Sequence, residues 1–503
     1  MSEKPRSDFP SSWCWSVAES LCEAVDSGTT PPKQHFVDQD QGVPFLKVYN
    51  LTFDGLLDFS NKPTFVNEAY EQSRMRRSNV VPGDVLTNIV GPPLGKVSIV
   101  PDTHARWNIN QAIVRFRPIP AGLDRGFLSF FLQSSECKAW LSRTTKTTTS
   151  QVNLATSTCR RLPVPVAPLV EQERIVSALE SYFTRLDDAV ATLSRVERNL
   201  KRYRASVLKS AVEGRLVPTE AALAKQEGRD YEPASVLLKR TTAPPRPNRW
   251  KSRSEDLIPG HAALAVGNPK TALPEGWAWS ALVDVARMES GHTPSREHPE
   301  WWDGDVPWIG IADARDGHGR IISTTIQHTN SAGLANSAAR LLPTGTVCIS
   351  RTASVGYVVV MGCPMATSQD FVNWTPTPAV TSDWLRLVFC TDREVLRRFG
   401  KGSVHKTIYF PEWLSVHIAV PPLAEQTRIV AELDRLLSVE DDADAILSSS
   451  LRRAQRLRQA ILKWAFEGKL ADQDPSDEPA SVLLERIKAE RDLPKSAKKK
   501  SRA

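Results

Sequence analysis

From Ile175 onward apolar positions advance along the chain by alternating steps of four and three: Ile175, Leu179, Tyr182, Leu186, Ala189, Leu193, Val196, Leu200, Tyr203 and Val207. That 3.5-residue period marks a coiled-coil seam and predicts one helix of about 43 residues, roughly 65 Å long at 1.5 Å per residue. A second stretch, Ile429, Leu433, Leu436, Ala443, Leu447, Leu457 and Ile461, keeps the stripe but places Glu440 and Ser450 in it, and polar seam residues fix partner and register. Pro168 and Pro422 stand just ahead of the two helices while Gly214 and Gly468 follow them, as expected of a first turn and a left-handed cap. The simplest burial of both stripes sets one helix against the other. Ile175, Leu179, Leu186, Leu193 and Leu200 then meet Ile429, Leu433, Leu447, Leu457 and Ile461. The segments before each helix follow another rule. Short β-branched runs such as KVSIV from Lys96, QAIVRF from Gln111 and YVVVM from Tyr357, broken by Pro and Gly, predict mixed α/β domains.

The two helices are copies. Residues 168–216 align without a gap on 422–470 at a shift of 254, and about 23 of 49 positions are identical, where chance gives roughly three. The likeness extends outward with sliding offsets: FPSSWCWS from Phe9 faces LPEGWAWS from Leu273, and Gly28, Thr30 and Pro31 face Gly291, Thr293 and Pro294. VPFLKVYNL from Val43 faces VPWIGIADA from Val306, NQAIV from Asn110 faces SQDFV from Ser368, and EPASVLLKR from Glu232 recurs as EPASVLLER from Glu478. A shared framework with different fillings is the pattern of two related domains reading two different ligands. The division that follows is 1–166, first domain; 167–216, first long helix; 217–272, short helix and Pro/Arg-rich linker; 273–420, second domain; 421–470, second long helix; 471–503, short helix and basic tail.

Composition narrows the class. The 503 residues carry 64 Lys+Arg against 57 Asp+Glu, a net charge of +7, and are 41% hydrophobic, which is globular and compatible with a polyanionic partner. No run reaches the roughly 18 apolar residues of a membrane span, and the start lacks a secretory layout, so a cytoplasmic location without a membrane partner is expected. Seven scattered cysteines, never C-x-x-C, read as reduced core thiols.

Catalytic signatures are missing. GPPLGKV at Gly91 lacks the spacing and the hydroxyl of a phosphate-cradling loop, and no G-x-S-x-G, H-E-x-x-H or G-x-G-x-x-G is present. Asp102 with Glu136 and Lys138 is a metal-nuclease arrangement only if a 34-residue gap is closed, and Asp102 in VPDT reads better as a turn residue. Asp187-Asp188 and Asp441-Asp442 point about 100° apart on a helix and read as solvated faces. No metal site is expected.

PLVEQERIV and PPLAEQTRIV, each opening a helix that ends in VEGRL or FEGKL, together with ESGHTPSREHPEWWDGDVPWIGIAD from Glu289 and GTVCISRTASVG from Gly345, resemble the specificity subunits of type I restriction-modification systems over nearly the whole chain. The resemblance implies an α+β fold: two mixed α/β target-recognition domains separated by two long antiparallel coiled-coil helices, with a pseudo-two-fold internal repeat. It implies a non-catalytic subunit whose two domains each read one half of a bipartite site in double-stranded DNA. It implies partners as well: two modification (methyltransferase) subunits that bind S-adenosylmethionine, and restriction subunits, ATP-dependent translocase and nuclease, that use ATP and Mg. No cofactor is expected in this chain itself. A stand-alone restriction or methylation enzyme fragment and a coiled-coil protein scaffold remain as alternatives. DNA contacts are expected from loops outside the helices, where RTTKTTTSQ from Arg143 aligns roughly with GKGSVHKT from Gly400. Lys146, Thr147, Lys401, His405 and Lys406 are candidates, with Arg74, Arg76, Arg77, Arg315, Arg320 and Arg351. Trp464 and Phe466 are expected to face outward toward a partner.

Overall fold

A computed structural model describes residues 10–39, 42–91, 93–144, 146–148, 151–245, 272–352, 354–391, 407–414 and 416–492. The chain divides into two compact units, Met1–Ser194 with Ser448–Ala503, and Arg195–Leu447. Each long helix begins in one unit and ends in the other.

Each unit contains one α/β domain, and the two domains share their strand order. In the first, a four-stranded antiparallel sheet runs Cys22–Ser27, Ile113–Pro118, Val85–Asn88, Val97–Ile99. In the second, Ala286–Ser290, Phe371–Pro376, Val347–Ser350 and Val358–Met361 repeat that order, and Arg320–Ile322 joins the edge in parallel. The inner strands, VLTN, VCIS and VVVM, are buried at every position, which is why their β-branched runs are continuous rather than alternating. A second sheet in each domain contains a parallel pair: Gly42–Leu46 beside Trp107–Ile109, with Phe45 opposite Asn108, and Trp302–Ile309 beside Ala366–Thr367, with Trp308 opposite Ala366. Finally the first strand of each domain pairs with its last, Cys14–Val17 with Pro163–Val166 and Ala278–Ala281 with His417–Val420. The chain leaves that closing strand directly into the long helix.

The helices span Leu169–Val212 and Leu423–Phe466, 44 residues each, start just after Pro168 and Pro422, and stop at glycines with φ of 67° and 68°. Arg215 N donates to Ser210 O and Lys469 N to Trp464 O, 2.8 and 2.9 Å, satisfying last-turn carbonyls as a left-handed glycine cap does. Within each unit the start of one helix lies in a core with the end of the other. Ile175, Leu179 and Phe183 share a core with Ile461, Leu462, Ala465 and Phe466 in the first unit; Ile429 and Leu433 share one with Val207, Ala211 and Val212 in the second. The helices therefore run antiparallel in both.

The seam differs from the simple heptad reading. Leu457 is 48% exposed, as are Tyr182, Val196 and Tyr203 at over 40%, while Ala454 is buried and Arg458 half-buried on either side of Leu457. In place of a leucine the guanidinium of Arg458 lies 4.1 Å over the Phe183 ring and pairs with Asp187 at 2.8 Å. At 3.6 residues per turn the position four after Leu179 and Leu200 turns inward instead of the one three after, and this brings Phe183 and Arg204 against Arg458 and Glu440 of the partner helix. Leu186, Leu193 and Leu200 are only half-buried, whereas Leu447 is buried. Phe466 also departs from expectation. It is buried, edge-on to Phe127 and Phe131 at 5.1 and 5.3 Å, while Trp464 is exposed.

Candidate nucleic-acid interface

Two separated sequence stretches meet in both domains. In the first, the Gly28 loop rests on the end of the Trp107–Ile109 strand: Thr29 N donates to Ile109 O at 3.1 Å, and a Cβ on Gly28 would stand 2.0 Å from that oxygen. In the second, His292 N donates to Thr367 O at 2.9 Å, and a Cβ on Gly291 would stand 2.0 Å from Ser368 O. Only glycine permits this approach. It sets the next threonine beside the next glutamine, so that the Thr30 hydroxyl donates to Gln111 Oε1 and the Thr293 hydroxyl to Gln369 Oε1. Both pairs are exposed and lie where the two parallel strands end.

Around that shared element the side chains differ. In the second domain Thr293, Arg296, Trp308, Gly310, Asp313, Ile326, Gln327, Gln369 and Asp370 line a crevice of about 380 Å³. The Arg296 guanidinium lies 3.7 Å over Trp302 and 5.4 Å from Trp308, and Nη2 donates to Gln327 Oε1 at 2.7 Å. Trp302 and Trp308 are themselves fixed, edge to face at 5.2 Å, with their indole N–H groups on Ser295 O and His292 O. In the first domain Lys47 follows the corresponding strand, 5.1 Å from Phe36 and 5.9 Å from Tyr49.

The basic residues singled out from the sequence are not gathered in one place. Arg315 shares the Ile311–Asp316 helix with the crevice lining and pairs with Asp316 at 2.9 Å. Arg351 borders the crevice through its backbone N, 2.7 Å from Asp370 O. Its guanidinium stacks 4.9 Å over Phe410, and burial, the main cause, lowers its pKa. Arg320 is exposed on the edge strand of the five-stranded sheet. In the first domain Arg74, Arg76 and Arg77 are exposed at the end of the Glu68–Arg74 helix and in the turn after it, where Arg76 Nε donates to Gln72 O at 2.9 Å. Lys146 and Thr147 sit not in a loop but in a strand, paired with Asn153 and Val152. The local Thr and β-branched content favours that pairing. Lys401, His405 and Lys406, most of the linker and the basic tail lie outside the described residues. The sequence reading missed Arg296, Trp302 and Lys47; the retained GxTP and Gln motifs were the signal that pointed near them.

A second duplicated constellation holds each domain to the helices. Trp13 Nε1 donates to Glu171 Oε1 at 2.9 Å and Trp277 Nε1 to Glu425 Oε1 at 2.8 Å. Gln172 Oε1 accepts from Asp124 N and Gln426 Oε1 from Thr381 N, 2.9 Å each, while both side-chain amides donate to two backbone carbonyls. The Glu-Gln pair of the repeat is thus a joint, and burial, the largest influence, raises the pKa of Glu171 and of Glu425.

Fold and site together define a duplicated two-domain protein: two homologous α/β domains that keep one loop clamp, vary the side chains beside it, and each lead into a long helix. Residues 10–196 and 274–443 match the type I restriction modification DNA specificity domain, and the chain belongs to that family. The type I restriction enzyme MjaIX specificity subunit of Methanocaldococcus jannaschii is 26% identical over 225 residues, 44% of this chain and 50% of that protein. The EcoBI specificity subunit of Escherichia coli is 26% identical over 357 residues, 67% of this chain and 66% of that protein. The chain therefore matches half the length of the first and about two thirds of the second. A solved structure from work on assembly and conformational transition of the type I R-M system shares the fold, with TM-score 0.66 and 19% identity over 92% of this chain and 100% of that one. Among the described residues no helix is long and apolar enough to cross a membrane.

Proposed function

We propose that the chain is the DNA-specificity subunit of a type I restriction-modification complex, in which each domain reads one half of a bipartite site in double-stranded DNA. The observation that supports this most is the duplicated clamp with unlike neighbours, Arg296 and Gly310 in one domain where the other has Lys33 and Lys47: two readers on one frame need such a difference. The subunit is non-catalytic and works in the cytoplasm. Two modification subunits supply S-adenosylmethionine chemistry, and restriction subunits supply ATP- and Mg-dependent translocation and cleavage. Exposed apolar residues along the helices, Tyr182, Val196, Tyr203, Val439, Ile446 and Trp464, suit docking of the modification subunits. The arginines and lysines placed above, Arg74, Arg76, Arg77, Lys146, Arg315 and Arg320, serve as DNA contacts, chiefly to phosphate. The test is methylome sequencing of cells that express this chain with its modification subunit. A bipartite methylated motif with a fixed spacer is expected. A continuous motif, or methylation by the chain alone, overturns the proposal.

A further inference from the structure

The clamp and the crevice beside it divide the labour of DNA contact. A feature kept in both domains cannot by itself tell two different half-sites apart, whereas a feature that changes at the same address can. Thr30 with Gln111 and Thr293 with Gln369 are the kept feature. Each threonine donates to Oε1 and so directs the carboxamide NH2 away from itself. For neither glutamine do the described residues supply a partner to that NH2. What changes lies beside it: three residues after the shared threonine the first domain has Lys33 and the second Arg296, and after the parallel strand the first has Lys47 and the second Gly310.

Resting on the reading of each domain as a half-site reader, we propose that Arg296 is a specificity-determining residue of the second domain and reads a guanine in its half-site. The Thr293–Gln369 and Thr30–Gln111 pairs hold the phosphate backbone in register for both domains. Arg296 is prepared for this role. Its guanidinium plane is fixed by Trp302 and by one bond to Gln327, which leaves the remaining N–H donors of a rigid fork, the geometry that matches O6 and N7 of guanine. Trp302 and Trp308 are held at right angles by backbone bonds of their own, so little side-chain freedom remains to be lost on binding. Exposed Ile326 and Gln327 stand on the same rim and offer an apolar and an amide contact to the neighbouring base. In the first domain the position of Arg296 is held by Lys33, a point charge without the guanidinium fork, and Gly310 is replaced by Lys47 beside Phe36 and Tyr49, so a different base preference follows from the same scaffold addresses.

The experiment uses the full chain co-expressed with its modification subunit, with genomic DNA of the expressing cells as the probe. In the unsubstituted protein a bipartite motif establishes the half-site reading; its absence overturns that reading and the assignment of Arg296 with it, whereas a bipartite motif unmoved by the substitutions below overturns the assignment of Arg296 alone. With the motif in hand, Arg296→Ala is expected to relax one guanine position in one half by about 5- to 150-fold in discrimination, leaving the other half unchanged. Gln327→Ala relaxes the same position more weakly, and gives the readout should Arg296→Ala not fold. Thr293→Val and Gln369→Ala are expected to weaken binding of the purified complex to cognate and scrambled duplexes alike, with an unchanged motif. An intact guanine preference in both Arg296→Ala and Gln327→Ala overturns the assignment of Arg296. A motif altered by Gln369→Ala overturns the assignment of the clamp to the backbone.

Discussion

The residue that shows most about how this protein is built is a carboxylate, Glu425. It is buried and accepts two hydrogen bonds, from Trp277 Nε1 and from Glu220 N, both at 2.8 Å. Its repeat counterpart Glu171 accepts from Trp13 and Gln473. Burial outweighs those bonds and raises the folded-state pKa of both above the ordinary 4.5. The sign follows from linkage: the stability contributed by such a group is fully present below about 4.5 and is lost as pH rises through the raised value. In Glu425→Gln one of the two donors meets an amide NH2 instead of an oxygen, and a loss of about 1–3 kcal/mol at pH 7 is expected. Denaturant midpoints measured between pH 7 and pH 5 should show the native protein gaining on the variant as pH falls. A gap that narrows toward pH 5 contradicts the raised pKa. The Glu-Gln motif was legible in the sequence as a repeat, but its role was not, because the tryptophan it holds lies about 150 residues away and only packing brings the two together.

At the scale of the element, the helices are specified twice, once by apolar stripes and once by charge. Arg204 and Arg458 occupy equivalent repeat positions, and so do Asp441 and Asp187; the same ion pair forms in both units, at 3.0 and 2.8 Å. The second unit adds Glu440, which is buried at the repeat position of Leu186 and also bonds Arg204. A buried carboxylate is tolerated only with its partner. Arg204→Ala is therefore expected to destabilise the protein, whereas Glu440→Leu, which restores the leucine of the other copy, should be neutral or stabilising by about 1 kcal/mol. The double variant should then behave like Glu440→Leu alone in thermal unfolding. Additive losses in the double variant would falsify this account. Periodicity located both helices and their caps, yet it misplaced Leu457 in the seam. A strict alternation of fours and threes assumes supercoiled leucine packing, and here arginines and Phe183 occupy the inward places instead.

At the scale of the whole molecule, the equal length of the helices carries the prediction. Each has 44 residues, and the division between units falls after Ser194 on the first and before Ser448 on the second, which are themselves equivalent repeat positions. If the helices set the distance between two DNA readers, seven residues inserted after each of these serines should lengthen each helix by about 10 Å, or about three base pairs of B-DNA. Methylome sequencing should then show the same two half-sites with a longer spacer. An unchanged spacer in a variant that folds and methylates assigns the ruler to the partner subunits.

The sequence by itself determined the duplication, the alternation of α/β domains with long helices, the helix caps and the family. All of these rest on local periodicity or on self-similarity, which need no tertiary contact to be read. Only the tertiary structure decided which residues the repeats use and against what. Gly28 and Gly291 are required by a backbone oxygen about 80 residues downstream, Trp13 by the first turn of a helix that begins 150 residues later, and Arg296 acquires its fixed plane from Trp302 and Gln327 across a loop. The scattered arginines looked equivalent along the chain because charge alone carries no address. Folding sorts them, pairing Arg315 with Asp316, laying Arg351 on Phe410 and leaving Arg320 on a sheet edge, since the worth of a cation depends on the burial and partners that only the packed chain supplies.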